Sequence, residues 1–162
     1  MTVEERLAHL GLVLPAAPAM PPGVRISFSW VRVVGARVIV SGHGAQAPDG
    51  SPQGPFGRVP DVVSLEQAQV SARAAALSVI SSVQRAIGDL DRIEAWLSVS
   101  GFVNTVPGYP QTTAVLNAFS EVVHDVFGDT VGAHARTAIG VSALPLDLPV
   151  VVAAELEVAA VG

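Results

Sequence analysis

The apolar positions along this chain change period several times, and each change marks an element. Leu65, Ala68, Ala72, Ala75, Val79, Val83 and Ile87 recur at three- and four-residue spacing, one face of a helix that stops before Gly88. Just ahead of it, Ser64-Leu-Glu-Gln67 has the form of a capping box: the serine oxygen accepts from the Gln67 backbone while the Gln67 side chain reaches back. Many of the face residues are alanine, which lets such a helix lie close to a sheet. A second helix is predicted over 110–127, with Val115, Ala118, Phe119, Val122, Val123 and Val126 turned inward. Between the helices, residues 93–104 alternate as a strand does. Ile93, Ala95, Leu97, Val99 and Val103 fall on one face, and Trp96, Ser98, Ser100, Phe102 and Asn104 on the other.

The flanking segments complete the pattern. Residues 24–34 and 37–41, rich in Val, Ile, Phe and Trp around Gly35-Ala36, predict a β-hairpin. Two further strands are predicted over 134–142 and 150–158, joined by LPLDLP. Residues 3–11 predict a short helix ending at Gly11, and 12–23, with Pro15, Pro18, Pro21 and Pro22, an extended connector. The stretch 43–63 is a Gly- and Pro-studded loop with an Asp49-Gly50 turn.

An order of two strands, long helix, strand, helix, two strands gives an α+β fold: a single mixed β-sheet with both helices packed on one face. The opposite face, on which alternation places Trp96, Phe102, Val151 and Ala153, is too apolar for water, so other subunits are expected to cover it. No linker divides the sequence, and residues 1–162 are expected to form one domain, with 1–23 as its N-terminal helix and connector.

Composition sharpens this picture. Half of the residues (50%) are hydrophobic, only 14% are charged, and the mean hydropathy is +0.50. No apolar run reaches the roughly 18 residues a membrane helix needs, and MTVEERLAHLG lacks the basic start and apolar core of a signal peptide. Self-association is therefore the expected cover for the apolar surface, and the cytoplasm the expected location. With no cysteine, disulfides, thiol nucleophiles and thiolate metal sites are excluded. The four histidines show no HxH or HxxxH spacing, so no metal site and no cofactor are expected. A net charge of −5 with basic residues scattered singly disfavours nucleic acid as a partner.

Three segments carry a family resemblance: GARVIVSG at 35–42, GFVN at 101–104 and HARTAIGVSALPLDLPV at 134–150. Together they resemble the signature of the RidA (YjgF/YER-type) superfamily, also described as endoribonuclease L-PSP-like. ERLAHLGLVLP near the start and VFGDTVGAHAR are similar to its longer bacterial branch. The resemblance implies a chorismate-mutase-like fold and a homotrimer whose sheets face one another, with ligand clefts between subunits. It also implies binding of a small carboxylate metabolite, and hydrolysis of reactive enamines and imines to 2-oxo acids and ammonia.

On this resemblance Arg136, in HAR, is the residue that grips the carboxylate and the one candidate catalytic group. Alternation places Arg136 with His134, Ala138, Gly140 and Ser142 on the face away from the helices, and Ala135, Thr137, Ile139 and Val141 toward them. A planar guanidinium binds a carboxylate through two parallel charge-assisted hydrogen bonds; an interface salt bridge is the alternative use. Ser41 and Gly42 match the family's ligand-side strand end, or mark a plain turn. Phe28 stands where many relatives carry a pocket tyrosine, or is an ordinary packing aromatic. Asn117 matches a helix asparagine of the family. His134, with His43, offers a group that titrates near neutrality. Phe102 and Asn104 are read as packing residues.

One position departs from the family. Active deaminases carry a glutamate fifteen residues after the arginine to position the attacking water, and here that position is Val151. The next acid common in relatives falls on Ala153, and Glu155, four residues beyond Val151, lies about 13 Å further along the strand. The departure argues for a weakened or different reaction, or for a non-catalytic metabolite-binding or regulatory protein. An endoribonuclease or translation-inhibitor role is the weakest reading on charge grounds.

Overall fold

The computed structural model describes residues 1–160. Helix α1 (Val3–His9) opens on a capping box between Thr2 and Glu5. After the connector come the hairpin strands β1 (Val31–Val34) and β2 (Arg37–His43), helix α2 (Leu65–Ile87), β3 (Ile93–Asn104), α3 (Thr112–Val131), β4 (Ala135–Val141) and β5 (Val150–Val158). They form one mixed five-stranded sheet in the order β1-β2-β5-β3-β4, in which only β3 and β4 pair in parallel. The α+β architecture with α2 and α3 on one face is the RidA-like, chorismate-mutase-like one.

The helices form where the pattern places them. Ser64 Oγ accepts from Gln67 N (3.1 Å) and Gln67 Oε1 from Ser64 N (2.9 Å), satisfying two donors that would otherwise be orphaned at the start of α2. The small side chains of Ala68, Ala72, Ala75 and Ala76 are fully buried, so the α2 backbone approaches the sheet closely. On α3, Val115, Leu116, Phe119, Val122, Val123 and Val126 fill the space above β3. A Cβ on Gly101 would come within 2.4 Å of Leu116, so only glycine lets β3 pass beneath α3 at that point.

Two expectations fail in detail. The hairpin's first strand begins at Val31; residues 24–30 form a strap outside the ladder, although Ser41 N still donates to Trp30 O. Strand β3 does not alternate cleanly either. Its pairing with β5 slips twice, between Ile93 and Ala95 and between Trp96 and Ser98. Each bulge adds a residue on β3 and flips the face of the residues after it. The core positions are therefore Ile93, Trp96, Val99, Gly101 and Val103, and Leu97 is exposed. Trp96 is buried beneath α3, its ring 6.3 Å from Phe119 and 5.5 Å from Phe127, and does not lie on the open face.

The open face that remains carries Val34, Ile39, Leu97 and Ile139, all substantially exposed, and the half-buried Phe102, Val151 and Ala153. Among the described residues no helix is long and apolar enough to cross a membrane.

Candidate functional site

The residues singled out in the sequence separate into two groups, at opposite sides of the sheet. The first surrounds Arg136 on the edge strand β4. In the parallel register Arg136 lies beside Val99, a core residue, so its side chain leaves the sheet on the helix side. Alternation gives two faces but not which of them is covered. The apolar Ile139 marks the wrong one as inner; it is 45% exposed. Because β4 is the outermost strand, α3 covers it only partly, and the guanidinium emerges along the rim.

There the guanidinium is held by neutral acceptors. Nη1 donates to Ser120 Oγ and Nη2 to Asn117 Oδ1, each at 2.9 Å. Asn117 and Ser120 are three residues apart on α3 and thus share one helix face. Ser120 Oγ also lies 2.9 Å from His134 Nε2, and His134 Nδ1 lies 2.6 Å from Gly132 O. A carbonyl only accepts, so Nδ1 carries the proton. Burial favours the neutral ring, in which Nε2 accepts from the Ser120 hydroxyl while the Ser120 lone pairs accept from Arg136. The pKa of His134 is pushed below the ordinary 6.5 first by burial, against the Gly132 bond, with the charges of His124 and Arg136 adding to the fall. The His124 ring stacks on it at 5.6 Å, with Asp129 Oδ1 3.3 Å from His124 Nδ1. Among the described residues no carboxylate pairs with Arg136.

The second group lies where β2 ends. The β2–β5 register slips between Val40 and His43, leaving Gly42 on the open face against β5. A Cβ at Gly42 would sit 2.7 Å from Val151 Cγ1. Gly42, Val151, Phe28, Trp30 and His43 border a partly enclosed cavity of about 200 Å³. Phe28 meets Trp30 edge to face at 4.9 Å, and Trp30 lies 5.1 Å from the His43 ring. Ser41 does not line this cavity: its hydroxyl donates to Ser29 O (2.7 Å) and ties the strap to β2.

His43 is buried with both nitrogens engaged, Nδ1 at 2.6 Å from Ser41 O and Nε2 at 2.8 Å from Ser82 Oγ, which also accepts from Arg85 Nη2. Burial is the main cause that lowers its pKa. This arginine–serine–histidine chain repeats the one at Arg136, but Arg85 spends Nη1 on Ser81 Oγ and Pro15 O, fastening the connector. His43 therefore has no free nitrogen for proton transfer. No acid lines the cavity; Glu155 is paired with Arg37 at 2.9 Å, and Asn104 Nδ2 donates to Asp147 Oδ1.

Sequence reading missed Ser120 and, apart from Phe28, the strap residues that border the cavity. Ser120 was detectable as the residue one helical turn beyond Asn117, whereas the strap lies in a segment whose composition suits a strand. Among the described residues, Glu4, Asp89 and Asp91 form the one acidic cluster dense enough to consider for a metal. Their oxygens already accept from Gln84 Nε2, Leu90 N, Asp91 N and Val3 N, as helix and turn caps.

Comparison with known proteins bears on the fold and the family. No family model matches the sequence. Protein TCP17 of Trypanosoma cruzi is 37% identical over 156 residues, spanning 96% of this chain and 93% of its own. The crystal structure of Atu1372 from Agrobacterium tumefaciens, a protein of unknown function, is 30% identical. It superposes with a TM-score of 0.85 over 97% of this chain and 92% of its own. RidA from the Antarctic bacterium Psychrobacter sp. PAMC 21119 shares the fold at 21% identity, with a TM-score of 0.56 over 88% of this chain and 94% of its own. The fold is thus RidA-like. The chain belongs to the family that includes TCP17 and Atu1372.

Proposed function

We propose that the protein binds a small carboxylate metabolite in clefts between the subunits of a homotrimer, with Arg136 of one protomer facing the Gly42–Val151 cavity of the next. The observation that carries this reading is the Arg136 guanidinium. It is oriented by two neutral side chains on a sheet edge, and among the described residues no acid neutralises it. Two of its five N–H donors are taken, which leaves enough for a bidentate carboxylate.

The two groups cannot serve one small ligand within a single protomer. From β2 to β4 there are three strand spacings, about 14 Å, and Arg136 leaves the helix side whereas Gly42 and Val151 face the open side. That span exceeds any amino-acid-sized metabolite. An exposed apolar sheet face and an uncovered edge are what a second copy would cover.

Hydrolysis of enamines or imines to 2-oxo acids and ammonia is the corresponding reaction. With Val151 in place of an acid and His43 fully engaged, no side chain in the cavity is free to activate water. Binding is therefore the primary activity, and turnover stays close to the uncatalysed rate. The test is to titrate the protein with a 2-oxo acid by calorimetry, and to measure ammonia release from an imine generated in place by an amino-acid oxidase. Binding that disappears in Arg136→Ala supports the reading. Binding that persists in that variant overturns it, and RNA cleavage surviving added chelator and repeated purification would favour the endoribonuclease role.

A further inference from the structure

The cavity beside Gly42 has a chemistry of its own. Its walls are the side chains of Met20, Ile26, Phe28, Trp30, Leu146 and Leu148, contributed by the connector, the strap before β1 and the turn before β5. Both polar side chains in the wall are largely committed. His43 uses both ring nitrogens, and Gln46 donates its amide to Gly50 O at 2.9 Å, leaving Gln46 Oε1 as a buried acceptor with no partner among the described residues. No charged side chain reaches the cavity. A ligand group entering it exchanges water for carbon contacts and finds almost nothing to pair with a polar substituent.

Size narrows the occupant further. An apolar cavity of roughly 150 Å³ holds a benzene molecule, and this one measures about 200 Å³. It accepts one aromatic ring or a branched aliphatic group but not two rings, and a methyl group would leave most of it empty.

We infer that the ligand is a 2-oxo or 2-imino acid with a large apolar side chain, aromatic or branched, whose side chain fills this cavity while Arg136 of the adjacent protomer holds its carboxylate. The inference rests on the proposed function, since it assumes that Arg136 and the cavity serve one ligand. Small or polar analogues bind through the carboxylate alone.

The experiment is a calorimetric series on the intact protein with pyruvate, 4-methyl-2-oxopentanoate and phenylpyruvate. Burying the larger side chains should tighten binding about tenfold to a hundredfold relative to pyruvate. Met20→Trp, which fills the cavity from the half-buried connector, should remove that advantage, so that the larger acids bind no tighter than pyruvate. Ile26→Trp serves the same purpose if the first variant does not fold. Equal affinities across the series, or a preference untouched by both filling variants, would overturn the inference while leaving the carboxylate site standing. Failure of all three acids to bind would instead overturn the proposed function, and the inference with it.

Discussion

Ser120 shows how much of the site depends on a residue that touches no ligand. Its hydroxyl accepts from Arg136 and donates to His134, so it fixes both the direction of the guanidinium and the tautomer of the imidazole. Ser120→Ala leaves Nη1 and Nε2 without partners, at a cost of about 1–2 kcal/mol. Carboxylate affinity should fall about tenfold and recover in Ser120→Thr, as read by calorimetry; an unchanged affinity in the alanine variant would show that the relay does not position Arg136. The two relay histidines also predict a pH dependence. Both have folded-state pKa values below the ordinary 6.5, so the unfolded chain binds more protons just below that pH. Stability is fully present above about pH 6.5 and is lost as pH falls from there through the folded-state values. Thermal melting across pH 5 to 8 should show the midpoint dropping on the acid side, with a shallower drop in His43→Gln. Arg136, Asn117 and His134 were legible through the family resemblance. The face Arg136 occupies was not, because alternation carries no information about which side of an edge strand a helix covers.

At the scale of elements, the sequence was most informative where a local device sets the structure. The SLEQ capping box and the three-to-four spacing of α2 specify a helix from Leu65 to Ile87 without reference to the rest of the fold. Strand β3 is the opposite case. Its two bulges arise from pairing with β5, which follows only after α3 and β4 in the chain, so no local signal announces them; they move Trp96 from the expected open face into the core. The consequence is measurable: Trp96→Ala should destabilise the protein by about 3–5 kcal/mol, the cost of emptying a large buried aromatic site. Chemical denaturation reads this directly, and a change below about 1 kcal/mol would put the indole back on the surface. The strap 24–30 departs from expectation for a related reason. Its Val, Ile, Phe and Trp content suits a strand, but these side chains line the cavity.

At the scale of the whole molecule, the sheet brings the two halves of the site into being and also keeps them apart. Low charge and high hydropathy point to self-association, and the exposed Val34, Ile39, Leu97 and Ile139 give that expectation a location. What sequence could not convey is that, among the described residues, a protomer holds a cation with no anion beside it and an apolar cavity with no charge. The central claim is that these halves meet across a junction between copies. Its most direct test is co-expression of two impaired variants, Arg136→Ala and the cavity-blocked Gly42→Leu, with high-affinity phenylpyruvate binding counted in the mixed assembly. If the halves come from neighbouring protomers, random mixing restores about a quarter of the high-affinity sites, although neither variant alone has any. If the mixture binds no better than its parents, both halves belong to the same chain and the claim is contradicted.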